Sequence, residues 1–286
     1  MRALSSFSEQ DFELFRNGVS SERLNPVSMG GGLFIFPLIS SLGVYGSWAL
    51  TLQGILGKNW SFLVIFQVFS AALLFILSIL FFSKWLSLKF QKFQMVVLIL
   101  NAIKMAFDLT FACLGALKQQ VTALPFDWIV ILYILGSILL FLLSIFRGYR
   151  LLQAGQFREN GHGLLGRQYN EKISRFSNIF SFALGAAFIG AIGAAFFGET
   201  GFTFVVVVAM FGLSAIIYSV GVTEFIFVLY CKLRFPSFNV TAEQQVKIDK
   251  EGKLFFKHID RLEKEEKEAI KRQKHGKRKN SKNLRG

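Results

Sequence analysis

The sequence has few cysteines and none of the common catalytic motifs. Its two cysteines, Cys113 and Cys231, lie in different apolar runs and form neither a CxxC pair nor a metal-ligand spacing. The patterns HExxH and GxSxG and the kinase motifs are also missing. We therefore expect no disulfide framework, and the sequence predicts no catalytic residue, no metal site and no cofactor.

The sequence predicts no secretory signal peptide either. Roughly the first thirty residues are polar, and the first apolar run is too long for the core of a signal peptide. We expect this apolar run to stay in the mature chain.

Hydrophobic residues, by contrast, are abundant. They make up 53% of the 286 residues, and the mean hydropathy is +0.48, which is high for a soluble domain. They are gathered into runs of about 20 residues, the length of a helix that crosses a bilayer. The alternating pattern of a β-barrel does not occur. The sequence predicts an all-α transmembrane bundle of about six spans, at 33–56, 62–82, 95–117, 127–147, 177–198 and 203–230.

Lysine and arginine residues predict how these spans are oriented, because basic loops stay in the cytosol. The connections after spans two and four are basic, with Lys84, Lys89, Lys92, Arg147, Arg150, Arg158, Arg167, Lys172 and Arg175, whereas the other three connections hold only Lys58 and Lys118. This alternation predicts a multi-pass protein of the cell membrane with both termini in the cytosol. It gives three regions: a cytosolic segment 1–32, the bundle 33–230 and a basic cytosolic tail 231–286.

The segment before the first span contains a predicted short helix at the membrane surface or against the bundle. Ser8 and Asp11 have the spacing of a capping box, and Phe7 and Phe12 that of a hydrophobic staple. The glycines at 30–32 predict a flexible lead into the first span.

The tail after span six combines a predicted helix with an uncompensated basic block. Thr241 and Gln244 have the spacing of another capping box, and a charged segment continues to about Gln273. No acidic residue follows Ala269, and we expect the block to be disordered when free. Such a block attracts anionic lipid headgroups or, with weaker support, nucleic acid; alternatively it is a solvated tail with no specific partner. The candidate residues for an anionic partner are Lys271, Arg272, Lys274, Lys277, Arg278 and Lys279.

Charged and polar residues inside the spans are the main functional candidates, since an unpaired charge near the bilayer centre costs at least a few kcal/mol. Asn101, Lys104 and Asp108 share one face of span three, and Glu224 in span six has a depth that the Lys104 side chain can reach. Two interpretations stand: a proton or cation relay, or a structural ion pair that holds the spans together.

Span five is rich in small residues. Ala186, Gly190 and Ala194 form a stripe that favours close helix packing, either within the bundle or in a homo-oligomer.

Three classes of function follow from these patterns. A transporter or channel is the leading hypothesis and depends on the intramembrane charges. A non-transporting scaffold or assembly factor, which uses the bilayer as its support and recruits partners through its tail, is the alternative. An enzyme that acts on lipid or glycan comes third. A water-accessible cavity at the charges favours transport, and a sealed pair favours the scaffold.

Overall fold

The computed structural model describes residues 6–21, 24–121, 125–158, 161 and 203–250, and all regular structure in these residues is helical. The chain divides into two compact units, Met1–Asn239 and Val240–Gly286. The first unit contains the helices α1 (Glu13–Ser21), α2 (Pro26–Leu33), α3 (Ile35–Leu52), α4 (Lys58–Leu80), α5 (Lys84–Lys89), α6 (Gln91–Gln120), α7 (Phe126–Gln153) and α8 (Thr203–Arg234), together with the 3₁₀ turns Glu9–Phe12 and Pro236–Phe238. Within α8, the stretch Ile217–Val222 is π-helical.

Five helical segments are long and apolar enough to cross a membrane, which is compatible with a membrane protein. They are Pro26–Leu52, Trp60–Leu80, Gln91–Gln120, Phe126–Gln153 and Thr203–Arg234. These segments match the predicted spans one to four and six, and the all-α class is confirmed for the described residues. The predicted fifth span, 177–198, lies outside the described residues.

The first of these segments begins earlier than predicted, because the glycine triplet is helical rather than a flexible lead. Asn25 starts α2: its side-chain oxygen accepts a hydrogen bond from the Val27 N–H at 3.0 Å, and Pro26 follows it. A Cβ atom at Gly30 would lie 2.2 Å from the Phe81 carbonyl oxygen. The triplet therefore belongs to a helix that packs closely against the end of α4, and the prediction of a flexible lead is wrong.

The bundle is built around α6, which packs against α3, α4, α7 and α8. Its closest neighbour is α3, which runs parallel to it. A Cβ atom at Gly43 would lie 2.6 Å from the Asp108 carbonyl carbon, and one at Gly46 would lie 3.3 Å from the Ala112 Cβ. Small residues on α3 therefore allow the two backbones to approach each other.

The two ends of the bundle differ in chemistry. At one end, which we call the Trp60 end, Trp60 donates a hydrogen bond to Asp127 at 2.5 Å and packs against Phe111 and Phe126. The opposite end, which we call the basic end, contains the start of α6 and the ends of α4, α7 and α8. Its lysines and arginines are Lys84, Lys89, Lys92, Arg147, Arg150, Arg158, Lys232 and Arg234.

The N-terminal helix packs against the basic end. The predicted staple is confirmed, with the Phe7 and Phe12 rings 6.4 Å apart, and Asp11 accepts hydrogen bonds from the Ser8 N–H and hydroxyl at 2.9 and 3.0 Å. Phe15 contacts Phe157 with ring centroids 4.8 Å apart. The segment is thus docked on the bundle by apolar contacts.

An ion pair also holds this segment. The Arg158 guanidinium lies 2.7 Å from the Asp11 carboxylate. Burial raises the pKa of Asp11, but hydrogen bonds from Ser8 and Arg158 and the charge of Arg158 outweigh it, so the pKa lies below its ordinary value.

The second unit is described over residues 240–250, of which 242–250 are helical. The predicted capping box at its start is confirmed. The Thr241 N–H donates to the Gln244 side chain at 2.9 Å, and the Gln244 N–H donates to the Thr241 hydroxyl at 3.2 Å.

Candidate functional site: a polar cluster between α3, α4 and α6

Lys104 and Asp108 form an ion pair near the middle of α6. The Lys104 Nζ donates to the Asp108 Oδ2 at 2.5 Å, as expected for residues one helical turn apart. Both members of the pair belong to the same spanning helix, and both are largely buried. This pair is the centre of the candidate site.

A serine on α3 completes one side of the pair. The Ser40 hydroxyl donates to the same oxygen of Asp108 that Lys104 contacts. Gly43 makes this contact accessible, because any larger residue there would separate α3 from α6. The sequence prediction did not include Ser40. The spacing of Ser40, Gly43 and Ser47 along one face of the first span was the available signal.

A glutamine on α4 closes the other side. Gln67 is only 2% exposed, and its amide lies beside the Asp108 carboxylate. Among the described residues, neither polar atom of the Gln67 amide has a hydrogen-bond partner, and the same holds for the Asp108 Oδ1. Gln67 was also missing from the predicted set. The site therefore contains three buried polar atoms to which the described residues offer no hydrogen bond of ordinary geometry.

The described helices bury most of the cluster. The Asp108 side chain is fully buried, and that of Lys104 is 11% exposed. Two apolar surface grooves of about 320 and 350 Å³ occur, between α3 and α4 and between α7 and α8. Neither is lined by a residue of the cluster. Among the described residues, these grooves give water no path to the ion pair.

Asn101, predicted to share the face of Lys104, makes different contacts. Its amide donates to the Val97 carbonyl at 3.0 Å and to the Ser78 hydroxyl on α4 at 3.3 Å. It is buried and tied to α4, one turn closer to the basic end than Lys104.

Glu224, predicted within reach of Lys104, is not joined to the pair. It is half-buried on α8, and within the described residues no ion pair links it to Lys104 or Asp108. Tyr218 and Val222 of α8 pack against Ala102 and Ala106 of α6, on the side of α6 opposite the pair. Glu224 and Lys104 were predicted to lie at a similar depth in the bilayer. They do not meet, because their side chains lie on different faces of the bundle.

A second buried network lies on that other side of α6. The Thr110 and Ser214 hydroxyls are 2.8 Å apart, and the Tyr133 hydroxyl donates to the Ala106 carbonyl at 3.2 Å. Ser214 also donates to that carbonyl, at 3.2 Å. These contacts join α6, α7 and α8 without charge.

Lys232 at the basic end is a further buried cation that sequence reasoning missed. It is fully buried, and its Nζ donates to the Gln91 side chain and to the Phe238 carbonyl, both at 3.0 Å. These contacts hold the end of α8 against the start of α6 and the turn Pro236–Phe238.

The remaining predicted candidates lie outside the described residues. They are the small-residue stripe of span five, Ala186, Gly190 and Ala194, and the basic block Lys271, Arg272, Lys274, Lys277, Arg278 and Lys279.

Comparison of this chain with known families, curated proteins and solved structures found no match.

Proposed function

We propose that this chain is a non-transporting membrane scaffold or assembly factor, and that the Lys104–Asp108 pair holds its helices together. The observation that carries this proposal is the burial of the pair between α3, α4 and α6. A transport path needs water or substrate at the charges, whereas a sealed pair fixes how helices pack.

The proposed topology has six spans. Tyr133 of α7 lies beside Phe211 of α8, with ring centroids 5.1 Å apart, and Gly148 lies beside Phe227. The two helices are therefore parallel, and the chain between them has to return from the basic end to the Trp60 end. The apolar run 177–198 has the length for that crossing.

The proposed orientation places the basic end in the cytosol of a cell membrane, because short basic loops are retained there. It is supported by the separation of charge between the two ends, since Lys58 and Lys118 are the only basic residues at the Trp60 end among those that the structure describes. Reporter fusions at Lys58 and Lys118 should be external, and fusions at Lys89 and the C-terminus cytosolic. An external C-terminal fusion would overturn this orientation.

The tail is the proposed recruiting element. Its uncompensated basic block suits an acidic partner, namely anionic lipid, nucleic acid or an acidic protein surface. Two features support an acidic partner in the cytosol. The block contains basic residues without acidic ones, and it follows α8 on the side of the membrane that we propose to be cytosolic.

The competing function is transport by a proton- or cation-coupled carrier, or a channel. It is favoured by one observation: the Asp108 Oδ1 and both polar atoms of Gln67 lack hydrogen-bond partners among the described residues. A carboxylate next to an unsatisfied amide can take up a proton or a water molecule.

A complementation experiment separates the two functions. In cells that lack the native chain, we would express the double variant Lys104→Met/Asp108→Asn, which has no intramembrane pair. A second variant, Lys277→Gln/Arg278→Gln/Lys279→Gln, tests the tail, and Lys58→Gln is the charge control.

The scaffold proposal predicts that the double variant, at normal abundance, corrects the defect of cells that lack the native chain. It predicts that the tail variant does not correct this defect. An abundant double variant that fails to correct it would favour transport. A tail variant that corrects it fully would remove the tail from the proposal.

A further inference from the structure

The corner between α4 and α6, residues 81–93, is held firmly from its inner side. The Ser87 hydroxyl donates to the Phe81 carbonyl at 2.6 Å, and the Gln94 amide donates to the Pro26 carbonyl at 2.8 Å. Both polar side chains are fully buried. The close approach of Gly30 to Phe81 fixes the corner against α2. The backbone that carries the outward side chains of the corner is therefore held in place by these contacts.

The outer side of this corner combines aromatic rings with lysines. Trp85 is 62% exposed, and the Lys89 Nζ lies 4.6 Å above its ring. The exposed aromatic residues are Phe82, Trp85, Phe90 and Phe93, and the exposed lysines are Lys84, Lys89 and Lys92.

This combination fits the boundary between hydrocarbon and headgroups. Four exposed rings are unfavourable in water, whereas the amphipathic ring of Trp85 favours the membrane interface and the three phenylalanine rings favour the adjoining hydrocarbon. No acidic residue occurs between Glu22 and Asp108, and neither Lys89 nor Lys92 forms an ion pair with a described residue. The corner thus offers positive charge beside an apolar surface, which complements an anionic lipid.

We propose that this corner is a binding site for a phospholipid with an anionic headgroup, held by Lys89 and Lys92 with its acyl chains against the exposed rings. The site is distinct from the basic block of the tail. It rests on the proposed function only in that the corner lies at a membrane surface, whether that surface is cytosolic or not.

The test uses the full-length chain in nanodiscs. One set contains phosphatidylcholine only, and the other contains equal parts of phosphatidylcholine and phosphatidylglycerol. Native mass spectrometry counts the phosphatidylglycerol molecules that remain bound after release from the disc. The variants are Lys89→Gln/Lys92→Gln and, to keep the charge, Lys89→Arg/Lys92→Arg. Lys58→Gln, at the Trp60 end, removes an exposed lysine elsewhere, and Lys277→Gln/Arg278→Gln/Lys279→Gln tests the tail.

Each lysine near an anionic surface contributes about fivefold to affinity at low salt. The glutamine pair should therefore weaken binding of phosphatidylglycerol about twenty-fivefold. The arginine pair and Lys58→Gln should retain this binding, and the tail variant should retain the part of it that depends on Lys89 and Lys92. Thermal melting confirms that each variant is folded.

Two outcomes would overturn the site. Undiminished binding in the glutamine pair is one, and an equal loss in Lys58→Gln, which would indicate attraction by overall charge, is the other. Neither outcome bears on scaffold function, which the complementation experiment tests separately.

Discussion

Lys104 and Asp108 compensate each other's charge at the centre of the bundle, and Ser40 adds a hydrogen bond to the carboxylate. Removing one member leaves the other as a buried charge without its partner, which is more costly than losing the pair as a whole. This asymmetry makes the pair testable by a double-mutant cycle.

We predict that Asp108→Asn and Lys104→Met each lower the free energy of unfolding by about 3 kcal/mol, because each leaves an uncompensated charge. The double variant should recover much of the loss. The measurement is thermal unfolding of the purified chain in detergent. Small, additive effects would show that the two side chains face water or headgroups.

The sequence predicted this pair but not its surroundings. Lys104 and Asp108 are one turn apart on one helix, so their contact is a local property that spacing reveals. Ser40 and Gln67 belong to other helices, and their roles depend on which faces of α3 and α4 meet α6. Glu224 was assigned by depth alone, and depth does not fix the direction in which a helical residue points.

At the scale of helices, glycine governs the packing of α3 on α6. A Cβ atom at Gly43 would lie 2.6 and 2.7 Å from the Asp108 carbonyl carbon and oxygen, which are backbone atoms and cannot turn aside. Gly31 on α2 has no atom within 4 Å of its Cβ position. Replacing each of these two glycines with alanine therefore compares a crowded helix position with an open one.

We predict that Gly43→Ala lowers the stability of the bundle by about 1–3 kcal/mol, since α3 and α6 must separate. Gly31→Ala should be neutral or stabilising by up to about 1 kcal/mol, because alanine favours a helix. Melting temperatures in detergent compare the two variants. Equal effects would mean that α3 and α6 do not approach closely at Gly43.

The docking of the N-terminal helix α1 should depend on pH through Asp11. Its pKa is lower when α1 is docked than in the free segment, so the ion pair with Arg158 contributes fully above the ordinary pKa of about 4. The contribution is lost as the pH falls from there through the lower pKa of the docked state.

We therefore expect hydrogen exchange of the α1 amides to increase relative to α6 as the pH falls below about 4. Asp11→Asn should show the faster exchange already at neutral pH and lose this pH dependence, and Arg158→Gln should resemble it. A variant with unchanged protection would show that the aromatic contacts alone hold α1.

Element prediction succeeded where the signal is local and failed where it is not. The apolar runs correctly predicted spans one to four and span six, because the length of an apolar run can be read from each segment by itself. The glycines at 30–32 indicated flexibility, yet Asn25 and Pro26 start a helix there, and contact with α4 maintains it.

For the whole molecule, the parallel arrangement of α7 and α8 and the concentration of positive charge at one end support six spans with both termini in the cytosol. The buried cluster at the centre joins α3 and α6 and is the basis of the scaffold proposal. The sequence predicted both features only in outline, since the contacts around α6 join residues of different helices, such as Ser40 and Asp108, which are 68 positions apart.

The most direct test of the sealed cluster is the accessibility of residue 40. In a chain whose Cys113 and Cys231 are replaced with alanine, Ser40→Cys places a thiol beside Asp108, and Lys58→Cys is the exposed control. With charged thiol reagents on both sides of the membrane, we predict that Lys58→Cys reacts and that Ser40→Cys reacts only after unfolding in denaturing detergent. Rapid labelling of Ser40→Cys in the folded protein would show water at the ion pair and would contradict the scaffold proposal in favour of transport.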